Sequence, residues 1–167
     1  MYKFRSNLSY FLPGFALLTV FLTSCDSRDI IFEKKMELRD KRWTYADSLQ
    51  YTFPIKDTTK IYSIYLQLAH EQVYPFQNIY LMLHTQFPSG KRIDNRINID
   101  LAEPTGKWNG DCSGDVCELE IPIQEGAYFN ETGNYTLTVE QYLRQDTLVG
   151  ISAVKVLLED TGKKRGK

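Results

Sequence analysis

Histidine is nearly missing from this chain: His70 and His84 are the only two among 167 residues. Neither sits in a zinc-protease helix motif, and a lone histidine without a constellation around it does not make a catalytic base. The sequence also lacks a Gly-x-Ser-x-Gly elbow, a P-loop and a dinucleotide-binding fingerprint. Positive charge is not in excess either. With 20 Lys and Arg against 21 Asp and Glu, there is no basic footprint for nucleic acid. Asp111, Ser113 and Asp115 have oxygen-rich spacing, but the later carboxylates of a calcium loop are missing. Glu118 and Glu120 project from one side of one segment, which is an ordinary solvated face. No catalytic residue, metal or cofactor is expected.

Long apolar runs are absent except at the start. There the basic residues Lys3 and Arg5 precede an apolar stretch from Leu8 to Leu22, which ends in Leu22-Thr23-Ser24-Cys25. A basic start, an apolar middle and small residues at the end make a secretory signal. The stretch is broken by Pro13-Gly14 and falls short of the roughly 20 apolar residues of a membrane span. The cysteine directly after the small residues resembles the bacterial lipobox, whose cysteine takes a diacylglycerol before the chain is cut ahead of it. Cys25 is therefore the expected lipidation site, and two or more acyl chains hold a protein firmly to a bilayer. Removing residues 1–24 leaves one domain's worth of chain, with a net charge of about −3 because the signal holds two basic and no acidic residues.

Sustained helical periodicity is also lacking; residues Glu33 to Tyr45 offer a helical turn or two at most. Period-two alternation takes its place. Tyr62, Ile64, Leu66 and Leu68 share one face, as do Ile79, Leu81, Leu83 and Phe87. Ile97, Ile99 and Leu101 alternate in the same way, followed by Cys117, Leu119, Ile121 and Ile123, and by Tyr135, Leu137 and Val139. Pro122 removes a ladder donor and belongs on an edge. Pro88-Ser89-Gly90 reads as a hairpin turn, and Asp57-Thr58-Thr59 and Glu131-Thr132-Gly133-Asn134 mark further turns. Residues 103–116, rich in Gly and Pro, read as a loop. The expectation is an all-β chain, an antiparallel β-sandwich of about seven or eight strands, with a small barrel as the alternative. Residues 1–24 would be the lipoprotein signal peptide and 25–47 a lipid-anchored tether passing into the domain. Residues 48–160 would form the sandwich and 161–167 a basic tail.

Three cysteines are present. Lipidation takes one and leaves Cys112 and Cys117, an even pair in an oxidising compartment. A disulfide closing the short loop between them is the expected state, with free thiols as the alternative. Aromatic residues flank the loops. Tyr74, Tyr80 and Trp108 are candidates for an interaction surface, against the plainer reading that such residues fill the core.

The middle and end of the chain resemble the GldH family of gliding-motility lipoproteins. The resemblance is carried by Val73-Tyr74-Pro75-Phe76-Gln77-Asn78-Ile79-Tyr80-Leu81 and Phe87-Pro88-Ser89-Gly90-Lys91, then by Asp100 through Gly110, Gly133 through Arg144, and Leu148-Val149-Gly150-Ile151. It runs from about Phe32 to Leu158. It implies a non-enzymatic envelope lipoprotein, anchored to a membrane by its N-terminal lipid. Its expected location is the outer membrane, and its expected partners are other envelope motility or secretion proteins. The family pattern does not require Cys112 and Cys117, which are a departure. Asp47-Ser48-Leu49, Asp57-Thr58-Thr59 and Asp146-Thr147-Leu148 resemble an O-glycosylation acceptor motif of the same bacterial group. The alternative function is a glycan-binding sandwich, because aromatic loops serve sugar and protein surfaces alike.

Overall fold

The structure is a computed structural model that describes residues 28–166. The signal peptide and Cys25 lie outside the described residues. Alternating burial sorts the chain into strands. In β3 (Leu49–Ile55), Leu49, Tyr51, Phe53 and Ile55 are all buried and the residues between them exposed. The other long strands are β1 (Asp29–Glu37), β4 (Lys60–Glu71), β5 (Asn78–Gln86), β6 (Arg92–Asp100), β8 (Val116–Ala127), β9 (Gly133–Gln141) and β11 (Ile151–Lys164). Three short strands, β2 (Arg42–Thr44), β7 (Asp111–Ser113) and β10 (Thr147–Val149), complete the set. Every pairing is antiparallel.

One sheet has the order β1-β11-β4-β8-β7 and the other β3-β9-β5-β6, with β10 and β2 as a separate ribbon. The two sheets keep their own edges, so the arrangement is a sandwich and not a barrel. Tyr51 crosses the core, its hydroxyl donating to the Val154 carbonyl at 2.9 Å. Pro122 falls where expected. It faces Tyr65 of β4 on one side, and the short β7 ends before reaching it on the other. Among the described residues, no helix is long and apolar enough to cross a membrane.

Several sequence expectations need correction. Residues 25–47 are not simply a tether, because β1 pairs along β11 from Asp29 to Glu37. Its inward residues include Phe32, whose ring lies 5.6 Å from that of Phe53. The expected helical turns shrink to one 3-10 turn at Arg39–Lys41, with Asp40 and Lys41 at positive φ. The basic tail is in part strand: β11 continues to Lys164, which pairs with Lys60 after a register shift. The 103–116 loop contains β7.

The core spans both sheets. At one end, Phe32, Phe53, Phe129 and Tyr135 stack or meet edge-on. At the other, Trp43 is fully buried and donates from its indole to the Asp47 carbonyl at 2.9 Å. The two long sides of the sandwich differ. On the β1/β3 side, Phe32 meets Phe53 and the Lys34 ammonium reaches the Gln50 carbonyl at 3.1 Å. An inward charge on an edge strand of this kind blocks further strand pairing. The β6/β8 side carries an apolar cleft of about 370 Å³.

The register also gives the molecule two distinct ends. Asp29, Tyr62, Ala127 and Asp160 lie in one row across the first sheet. The start of β1, the β3–β4, β5–β6 and β8–β9 turns and the end of β11 therefore share one end. The opposite end holds residues 38–48, 72–77, 101–115 and 142–150. Three residues separate Cys25 from Asp29, and the four chain steps between them reach at most about 14 Å. A lipid on Cys25 would keep the first end close to the bilayer and point the second away from it.

Phe53 is 1% exposed and ringed by aromatics. Phe53→Ala is expected to cost about 3–5 kcal/mol, from lost transfer energy plus the cavity left behind. Chemical denaturation of the two proteins checks it.

Candidate functional site

The three expected surface aromatics separate into two places at the end remote from β1's start. Tyr74 is not a surface residue, being 3% exposed. A turn closed by its own N–H to the Glu71 carbonyl folds it inward. Gly150 makes room for it: a Cβ there would lie 3.4 Å from the Tyr74 ring, at a φ of +101° that favours glycine. Trp108 is half-buried and donates to the Gln72 carbonyl at 3.2 Å. Its ring sits 4.6 Å from that of His70, which is fully buried at the end of β4. Tyr74 and Trp108 thus cover a histidine and do not form a shared platform.

His70 holds one ring nitrogen, Nδ1, against the Glu71 carbonyl at 2.9 Å. Its Nε2 and the Tyr74 hydroxyl are buried without a hydrogen-bond partner among the described residues. Burial pushes the His70 imidazole below its ordinary value, an effect partly offset by the Glu71 carbonyl. The same cause pushes the Tyr74 phenol up to about 12. Nearby, Cys112 and Cys117 face each other across β7 and β8 and are joined by a disulfide. Gly110 lets the preceding loop lie against β8; a Cβ there would sit 2.3 Å from the Glu118 carbonyl oxygen.

Tyr80 belongs to a different site. It is 39% exposed on the outer face of β5 and lines a groove of about 990 Å³. Tyr45, Tyr142, Phe76, Arg96 and Arg144 line it as well. The groove's wall is tied down by Gln141, which is 3% exposed. Its amide donates to the Gln145 carbonyl at 2.9 Å and accepts from the Leu143 N–H at 3.0 Å. Tyr45 donates from its hydroxyl to the Leu143 carbonyl, and its own N–H reaches the Asp146 carbonyl at 3.1 Å. The Tyr142 N–H meets the Tyr80 carbonyl at 2.8 Å. Sequence reasoning missed Tyr45, which fell in the supposed tether, and Tyr142, which lies just past the last alternating position of β9. Arg96 reads as a plain outward strand residue.

Beside the groove runs a polar ladder across the outer face of the second sheet. Ser48 donates to Glu140 at 2.5 Å, Glu140 meets His84 Nε2 at 3.2 Å, and His84 Nδ1 meets Asp94 at 2.6 Å. The Ser48 hydrogen bond, followed by His84, holds the Glu140 carboxyl below its usual range. Arg92 and then His84 do the same for Asp94. The carboxylate sits between serine and imidazole, so the ladder does not have the order of a hydrolytic triad. Asp47 of the first Asp-Ser/Thr motif caps a turn, its carboxylate accepting from the Thr44 N–H at 2.8 Å. Asp57 of the second accepts from the Thr59 N–H at 2.8 Å.

A family model described as GldH lipoprotein matches residues 30–156. The "Gliding motility lipoprotein GldH homolog" of Christiangramia forsetii is 26% identical over 142 residues, covering 85% of each chain. The "Gliding motility lipoprotein GldH" of Flavobacterium johnsoniae is 26% identical over 140 residues, covering 83% of this chain and 86% of its own. Among solved structures, tripeptidyl peptidase 2 aligns with 79% of this chain and 10% of its own, at 7% identity and a TM-score of 0.41. A family 35 carbohydrate-binding module from Clostridium thermocellum aligns with 74% and 97%, at 10% identity and a TM-score of 0.29. Structural likenesses this loose carry no argument about function.

The buried His70 yields a pH expectation. Its folded pKa lies below the ordinary histidine value of about 6.5, so the unfolded chain binds the extra proton. The stability linked to keeping it neutral is complete above about pH 6.5 and falls as pH drops toward the folded value. Denaturation at a series of pH values should show this decline, and His70→Phe should flatten it.

Proposed function

The chain belongs to the GldH lipoprotein family, and from that premise we propose that it is a lipid-tethered accessory protein of a gliding-motility assembly. It is anchored through Cys25 in the outer membrane and acts by binding other envelope proteins, with a link to secretion and no catalysis of its own. One observation carries the interaction reading, the open β6/β8 side of the sandwich. β6 is an edge strand, exposed at every position from Arg92 to Arg96. The cleft beside it is lined by Ile64, Leu83, Phe87, Ile93, Ile123 and Phe129, and Ile93 is 39% exposed. An unpaired edge beside an apolar cleft suits a partner that adds a strand and inserts alternate side chains. The charged residues Arg92, Asp94 and Arg96 on the outer face of that edge guard it against indiscriminate pairing.

Whole-cell cross-linking with a C-terminal tag tests this reading. Envelope motility or secretion components should be captured with the wild type, be lost with Cys25→Ala and be reduced with Ile93→Asp. Recovery of the tagged protein alone would contradict it.

A further inference from the structure

The tyrosine-lined groove is independent of the β6/β8 cleft and of the family reading. Tyr45 and Tyr142 are each 50% exposed and Tyr80 39%. They stand around one groove, on three separate segments of chain. Tyrosine offers a flat apolar face and a hydroxyl together, at little conformational cost. The wall that carries Tyr142 and Leu143 is held in place before any ligand arrives by the buried Gln141 and by the Tyr45 hydroxyl. A site ordered in advance loses less on binding.

Charge narrows the ligand. Arg96 and Arg144 both line the groove, and among the described residues neither has a carboxylate within salt-bridge distance. The Arg96 guanidinium lies 5.9 Å from the Tyr142 ring centre, so one cation and one aromatic face are already joined. The groove's one carboxylate, Glu140, is already engaged by Ser48 and His84. Two unpaired guanidiniums beside stacking faces match a carboxylate carried on a ring with an apolar face. Phe76 and Leu143 are the wholly apolar side chains lining it and both are half-buried, which leaves little for the side-chain anchors of a peptide. The groove's volume lies at the upper end of the range for small-ligand sites, about 300–1,000 Å³.

We propose that the groove formed by Tyr45, Tyr80, Tyr142, Arg96 and Arg144 binds an acidic oligosaccharide of the uronic-acid class. The tyrosine faces take the sugar rings and the two guanidiniums take the carboxylates. The groove lies at the end of the sandwich opposite the start of β1, so on a Cys25-anchored molecule it faces away from the bilayer.

Titration calorimetry on the full lipidated protein in detergent tests the proposal. The probes are hexasaccharides of galacturonate, guluronate and hyaluronan, with xylohexaose as the neutral control and hexaglutamate as the peptide control. At least one uronic hexasaccharide should bind, and both controls should bind at least about tenfold more weakly. Tyr142→Ala and Arg96→Gln should each weaken binding by about tenfold, the size of one lost aromatic or charge-assisted contact. Lys56→Gln, at the other end of the domain, should leave it unchanged. Near-UV circular dichroism checks that each variant is folded, and Tyr142→Phe, which keeps the ring, should retain most of the affinity. The proposal is overturned if no uronic hexasaccharide binds, if xylohexaose or hexaglutamate binds as well, or if folded Tyr142→Ala and Arg96→Gln both bind normally.

Discussion

The five-stranded sheet depends on the pairing of β11 with β4. These are the longest strands alongside β8, and they run in register from Ala69/Ala153 to Tyr62/Asp160. Among the described residues β1 pairs only with β11, and β8 pairs with β4. β1 therefore cannot join this sheet until β11 has formed. Long-range pairing of this kind is slow, because the loop-closure entropy is lost before the contacts form. The end that carries the start of β1 is thus held in the fold by β11, with Asp160 bonded to Lys60 of β4.

The same register sorts the connections of the molecule between its two ends. The β3–β4, β5–β6 and β8–β9 turns and the end of β11 collect at the end that carries the start of β1, while the longer connections collect at the other. Loops carry variable function on a rigid scaffold, and here the scaffold's alternation decides which residues face outward. Tyr80 lies outward because Ile79 and Leu81 on either side of it are buried. The β6/β8 cleft lies where the second sheet ends at β6, whose inward Ile93 is left 39% exposed. On the opposite side Phe32 and Lys34 close the gap. One sandwich thus carries an apolar cleft along one side and a separate tyrosine-lined groove at one end.

Much of this was legible in the sequence. β4, β5, β8 and β9 follow the alternating runs closely, because each has one face on the core and one in solvent. β11 was harder to delimit. Ala153 and Leu157 on one face and Val154, Val156 and Leu158 on the other are all buried, so its alternation vanishes. β1 was hidden by its charges, since Lys34 points inward and spans the gap to Gln50. Tyr74 and Trp108 are legible as aromatics but not as lids over His70, because Trp108 reaches it from 38 residues away and Tyr74 only through the turn closed on Glu71. The groove is illegible for the same reason: β5, β6, the residue after β2 and the loop after β9 meet there only once the second sheet and the β2/β10 ribbon are assembled.

On the proposed reading, a lipid on Cys25 holds one end of the sandwich at the bilayer and leaves the groove end free. Spin labels at Lys56→Cys and Ala46→Cys on the lipidated protein in vesicles, read by depth-sensitive relaxation, test it most directly. The label at position 56 should lie near the headgroups and the label at position 46 in bulk water. A label at 46 nearer the bilayer than one at 56, or both equally remote, would contradict it.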